Sequence, residues 1–298
     1  FFFFFCHNST LKRFCSVLGN SRFCLGKVVI SKNVIELRRI LGYNIICLNT
    51  RKCGDGSHCL IPFTNKIHAK RIAMEKRIVI IGAGYAGILT AKKLAKRCKH
   101  NDDVKITIID RNPFHTMLTE LHEVAANRVD EDSIKISLQK VFARRKVDVK
   151  LDTVQSIDFD QKIVVGTNEN YGYDYLVLAA GSKPTFFGVP GAQEFAYKLW
   201  SYDDAVILKE HIHDCFRKAA RETNLEEKKR ILTFYIVGAG FTGVETVGEI
   251  AEYVPVLCDQ FEIDRSLVTI FDVDILDRVV PVLPEKLSEK IEKRLTKM

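Results

Sequence analysis

Nowhere in this chain do about 18 apolar residues follow one another, so it offers no membrane-spanning helix and any membrane contact is peripheral or lies outside the given sequence. Nine cysteines are present, yet no two stand at CxxC spacing, which disfavours zinc. Six of them precede residue 60; the other three, Cys98, Cys215 and Cys258, are scattered as small buried hydrophobes of a reducing compartment would be. Methionine is missing before Met74, and acids are nearly so: residues 1–73 hold Glu36 and Asp55 against 12 Lys and Arg. Without helical or strand period, this leader reads as unstructured or spurious, with translation beginning at Met74; an organellar transit peptide is the competing reading. The net charge of +8 belongs to it, because residues 74–298 hold 33 bases against 35 acids. That main body shows no basic stripe with interleaved aromatics, so no nucleic-acid partner is expected.

From Met74 the pattern is βαβ. Arg77 to Ile81 is a β-branched run that reads as a buried parallel strand and feeds Gly82-Ala83-Gly84-Tyr85-Ala86-Gly87. A helix is expected over 88–99, and a second strand, 105–109, ends in Asp110, 23 residues after Gly87, where an acid would accept ribose hydroxyls. Gly82 permits the tight turn, Gly84 lets backbone approach a pyrophosphate, and Gly87 brings helix and strand together so that free N–H groups face the phosphates.

The unit recurs 156 residues on. A strand over 232–237 leads into Gly238-Ala239-Gly240-Phe241-Thr242-Gly243, a helix over 244–254, a strand over 267–271 and then Asp272, 29 residues after Gly243. An acid there without an adjacent Arg favours NAD over NADP. Val247 departs from the pattern, which prefers a smaller residue, with Gly248 beside it to compensate. Between the units, 147–165 reads as a β-meander. Residues 175–181, an apolar strand ending in Ala180-Gly181, read either as backbone near a dinucleotide or as a core strand; 187–191 reads as a linker. The fold class is thus α/β with two Rossmann-like dinucleotide-binding units and a meander insertion, the second unit stopping before its third strand. The domains are expected at 74–190 and 191–298.

Two dinucleotide units imply one coenzyme delivering electrons and one receiving them, chemistry that asks orientation and water exclusion of the protein rather than an acid–base pair. His115, His122, His211 and His213 are accordingly read as bystanders. No CxxxxC or CxxC follows either glycine turn, so a dithiol relay is disfavoured.

Residues 74–298 resemble the amino-terminal half of type II NADH dehydrogenases, the flavoprotein NADH:quinone oxidoreductases, and look most like the Firmicutes branch. The resemblance rests on 110–118 (DRNPFHTML), 119–126 (TELHEVAA), 180–184 (AGSKP) and 240–245 (GFTGVE). It implies FAD on the first unit, NADH on the second, and electrons passing to a membrane quinone without proton pumping. The cofactor residues are then Gly82, Gly84, Ala86, Gly87, Asp110, Val154, Ala180 and Gly181, with Leu118 and Thr119 lining the isoalloxazine, and Gly238, Gly240, Gly243 and Asp272 for the second nucleotide. Glu245 matches a family glutamate near the flavin and is the catalytic candidate; the alternative is an acid that favours the helix dipole. No metal is expected. The resemblance implies a place at the cytoplasmic face of a bacterial membrane, with docking through a region this chain does not hold, and leaves a homodimer open. A soluble reductase of a carrier such as ferredoxin or rubredoxin, and an inactive fragment, are the alternative readings.

Overall fold

The computed structural model describes residues 3–5, 47–48 and 75–298, so nearly all of the leader lies outside the described residues. The chain divides into two compact units. Among the described residues the first comprises 47–48, 75–115 and Ile136–Gly181, and the second 3–5, Thr116–Lys135 and Ser182–Met298.

In the first unit, Lys76–Ile81 is the central strand of a five-stranded sheet. Val104–Asp110 and Tyr175–Leu178 lie parallel on either side of it, with Asp148–Leu151 and Cys47–Leu48 outermost. Its β-branched residues alternate between two cores. Ile80 packs with Ile106, Ile108 and the buried face of the Tyr85–Arg97 helix, whereas Val79 and Ile81 pack with Val164, Tyr171 and Tyr173 under the meander. The meander itself is Val154–Asp158, Ile163–Gly166 and Asn170–Gly172. The run at 148–151, expected to belong to it, is instead a parallel strand of the main sheet, in register Thr107↔Asp148. Asp152 ends that run by drawing the chain into a corner: its carboxylate accepts amides from Thr153, Thr167, Asn168 and Glu169 and the hydroxyl of Tyr171 at 2.8 Å.

The second unit holds the parallel pair Thr233–Val237 and Thr269–Val273, with Phe3–Phe5 pairing antiparallel beside Val237 and Tyr197–Lys198 beyond it. The five leader residues that are described are thus strand, each pairing along a sheet edge whose N–H and C=O groups need partners. The Phe241–Phe261 helix runs past the expected end at 254. It carries Pro255 inside it, because Leu257 and Cys258 continue the buried face that Ile250 and Val254 begin. Val247 is buried in that core, and Gly248 meets nothing within 4 Å, so it gives no compensating close approach.

Two boundaries differ from expectation. Residues 116–135 group with the second unit because Leu121, Val124 and Ala125 pack with Leu208, Ile212 and Ile250. The stretch read as a linker is folded: Val189 and Ala192 pack on Tyr235 and Val237, and left-handed backbone at Phe187, Gly188 and Gly191 lets the chain turn.

Candidate functional site

Each unit builds its glycine turn in the same way. In the first, the Gly82 N–H donates to the Ile109 carbonyl at 2.8 Å and the Ala83 N–H to Asp110 Oδ2 at 2.6 Å. Asp110 Oδ1 accepts from the Asn112 N–H at 2.8 Å. Gly82 adopts φ +97°, open to glycine, and a Cβ there would run into the Ala179 carbonyl. At Gly87 a Cβ would collide with the carbonyl of Gly82 itself. Gly84, by contrast, has nothing within 4 Å of the place a Cβ would take. It caps the helix at φ −73°, ψ −172°, without a side-chain hydrogen bond, so the first amides of the helix stay available. Tyr85 and Ala86, which follow, are exposed.

The second turn repeats this set of bonds. The Gly238 N–H donates to the Val273 carbonyl at 2.8 Å, and Gly238 holds φ +115°. Gly240 caps its helix at φ −74°, ψ −171°, again with no side-chain cap, and has open space around it; Gly243 is buried. The Ala239 N–H donates to Asp274 Oδ2 at 2.7 Å, and Asp274 Oδ1 accepts from the Leu276 N–H at 2.9 Å. Asp274, rather than the expected Asp272, therefore holds in this unit the place of Asp110. Asp264 accepts from the Ser266 N–H at 2.9 Å and starts a 3-10 turn, Arg265–Leu267, and the strand runs Thr269–Val273, ending two residues later than read. Asp272 falls inside the strand. Both its carboxylate oxygens are buried without a hydrogen-bond partner among the described residues, and burial, followed by the charge of Asp274, pushes its carboxyl up to about 6.

The remaining expected residues are divided between the units. Ala180 and Gly181 follow the strand Tyr175–Leu178 in the first unit; both are exposed, and Gly181 holds φ +76° with open space around it. Val154, which starts the meander, turns its side chain onto the buried core beneath it. Leu118 and Thr119 lie in the second unit on the 3-10 turn Leu118–Glu120, with Leu118 exposed and the Thr119 hydroxyl donating to Glu120 at 3.2 Å.

Glu245 stands past the first turn of its helix, half exposed, with Oε2 4.0 Å from Nδ1 of His122. The helix-dipole alternative thus has a competitor that the sequence reading missed. One turn on, Glu249 pairs with Arg128, and a further turn on, Tyr253 pairs with Nε2 of His213, whose imidazole burial holds below the usual range. His115, also read as a bystander, is buried in the first unit: its Nδ1 donates to the Ala83 carbonyl at 3.1 Å and its ring meets Tyr85 edge-on at 4.7 Å. It supports the glycine turn. Among the described residues no group of His, Cys, Asp and Glu could hold a metal ion, and no helix is long and apolar enough to cross a membrane.

A chain with two such turns, each opening an exposed helix start beside a strand-end aspartate, has the architecture of a two-dinucleotide oxidoreductase. Residues 76–298 match the family model of pyridine nucleotide-disulphide oxidoreductases, and the chain belongs to that family. It is 32% identical over 212 residues to the type II NADH:quinone oxidoreductases of Staphylococcus haemolyticus and Staphylococcus aureus, an alignment covering 71% of this chain and 52% of each relative. The chain spans about half the length of these curated relatives. The solved structure of NDH2 from Plasmodium falciparum with NADH shares the fold, at TM-score 0.65 and 20% identity over 75% of this chain and 46% of that one.

Proposed function

We propose that this chain provides the dinucleotide-binding part of a flavin-dependent NADH:quinone oxidoreductase, with FAD on the first unit and NADH on the second. The observation that carries it is the repeated turn: two uncapped, exposed helix starts with open space at Gly84 and Gly240, each beside an aspartate at the end of the second strand. The residues fit the two groups. A pyrophosphate can approach where a Cβ would otherwise stand, and the helix amides and dipole favour its charge. Asp110 and Asp274 each spend one lone pair per oxygen on the turn and keep others for ribose hydroxyls. The flavin, when bound, supplies the ring that takes up the electron pair of NADH and passes it to quinone.

The chain's own side chains then have limited tasks. Asp110 and Asp274 fix turn and ribose together, His115 holds the first turn, and Tyr85 and Phe241 stand exposed as the first residue of each helix. Glu245, with His122 at 4.0 Å, is the group placed to hold or move a proton at a carboxylate oxygen. The test is reconstitution: the purified chain is incubated with FAD, freed of excess, and given NADH without oxygen and then a menaquinone analogue or a ferredoxin. The reading expects retained flavin absorbance, bleaching by NADH, and reoxidation by the quinone but not the carrier. Protein that stays colourless after FAD would refute it, and reoxidation by the carrier alone would replace quinone with a protein acceptor.

A further inference from the structure

We infer that the strand Phe3–Phe5 forms the floor under the nicotinamide half of NADH in the second unit. The inference rests on the reading of that unit as the NADH site and deepens it. The sheet runs in the order Tyr197–Lys198, Phe3–Phe5, Thr233–Val237, Thr269–Val273, and its register draws a level line along one edge: Lys198 pairs with Phe3, Phe3 with Val237, and Val237 with Val273. The two parallel strands finish on this edge, Val237 passing into the Gly238 turn and Val273 into Asp274. Phe3–Phe5 is antiparallel to Thr233–Val237, so it begins on the edge where those strands finish.

The direction of the dinucleotide follows from the turn. Asp274, placed for the adenosine ribose, stands at the end of Thr269–Val273, and the open space at Gly240, placed for the pyrophosphate, follows Thr233–Val237. From the first to the second is one step across the sheet, about 4.8 Å between neighbouring strands. The rest of the molecule, the second ribose and the nicotinamide, continues away from Asp274, and the next strand on that side is Phe3–Phe5. The chain order of the sheet also breaks there. On one side of Thr233–Val237 the Phe241–Phe261 helix leads directly to the neighbouring strand, whereas on the other the neighbour comes from the far end of the sequence. Dinucleotides lie in the crevice at such a break, outside the carboxyl ends of the strands. The described leader residues of this unit thereby acquire a task in positioning NADH.

The test compares two ligands on the full chain loaded with one equivalent of FAD: ADP, which carries the adenosine ribose and the pyrophosphate alone, and a tetrahydronicotinamide analogue of NADH, which gives up no hydride. Both should bind the parent in calorimetric titration. Phe4→Pro puts a residue without an N–H into a strand paired on both sides, and so removes the floor. It should weaken the analogue roughly tenfold, the contact beneath one ring being lost, and leave ADP unchanged. Leu48→Pro, on the edge strand of the first unit, should change neither. In the parent, amide exchange at residues 3–5 should slow with the analogue and not with ADP, which reads the same contact without a variant. A Phe4→Pro chain that melts cooperatively and binds the analogue as the parent does would overturn the inference. Equal loss of both ligands in that variant would overturn it too, since the strand would then support the turn rather than the nicotinamide. So would exchange at 3–5 that both ligands slow equally or that neither slows. A parent that binds neither ligand would refute the reading of the second unit itself, and this inference with it.

Discussion

The sharpest demand of the repeated turn is that its glycines fail in different ways. At Gly87 a methyl group would overlap the Gly82 carbonyl oxygen, stand 3.0 Å from its carbon and lie 3.5 Å from Ala179 Cβ. The first two are backbone atoms that no rotamer can move, so the helix must lift from the strand. Overpacking of this kind costs about 1–3 kcal/mol, and the backbone obstacle places Gly87→Ala at the upper end. Gly84→Ala has no such obstacle: φ −73°, ψ −172° suits any residue, and nothing lies within 4 Å. Lower unfolded-state entropy stabilises it by about 0.4–1 kcal/mol, and a poorer N-cap takes back about as much, so its stability should stay within about 0.5 kcal/mol of the parent. Its methyl instead fills the approach reserved for the pyrophosphate. Losing one charge-assisted hydrogen bond of about 1.5–3 kcal/mol weakens FAD binding by roughly 10- to 100-fold. Thermal unfolding and titration of flavin fluorescence separate the two effects. Gly84→Ala that binds FAD as tightly as the parent, or Gly87→Ala that melts with it, would refute the reasoning.

The two aspartates of the second unit should separate likewise. Asp274→Ala removes the acceptor of the Ala239 amide and is expected to weaken NADH binding roughly tenfold or more by isothermal titration, while Asp272→Asn leaves it unchanged. Asp272 should also give stability a pH dependence: with its folded carboxyl raised from 3.8 to about 6, its contribution is fully present below 3.8 and lost as pH rises through 6. After discounting for partial exposure, Asp272→Asn should gain about 1–2 kcal/mol at pH 7 and flatten the denaturant midpoint between pH 4 and 7. Asp152 has the opposite sign. Burial opposes its charge, but the Tyr171 hydroxyl and the amides of 153, 168 and 169 outweigh this and hold its carboxyl below the usual range, so its support is present above 3.8 and lost as pH falls through the lowered value. Asp152→Asn should loosen the meander at neutral pH, seen as faster amide exchange at Thr167 and Asn168, and reduce the difference between neutral and acid.

The glycine turns were legible in the sequence because each position answers a local requirement, a positive φ at Gly82 or a close approach at Gly87, that no other residue meets. Packing at a distance was not. Nothing in TELHEVAA tells which unit will bury it; that depends on the apolar face that Leu208, Ile212 and Ile250 present from elsewhere in the chain. The same limit hid His122, whose interest lies entirely in a neighbour 123 residues away. Pro255 shows the same limit: a proline opposes helix locally, yet the burial of Leu257 and Cys258 carries the helix past the expected end at 254 at the loss of one backbone bond.

The aspartate was misplaced for a reason that the two units, set side by side, now make physical. Asp272 and Asp274 carry the same side chain two residues apart, and the sequence pattern alone cannot choose between them. Helix length can. The first unit's helix has 13 residues and the second unit's has 21, a difference of eight, about 2.2 turns. From the helix's last residue, Arg97 or Phe261, to the aspartate is the same number of steps for Asp110 and Asp274, whereas Asp272 comes two steps early. The longer helix therefore displaces the acid along the sequence while leaving it in place on the turn, as its hydrogen bonds to Ala239 and Leu276 show.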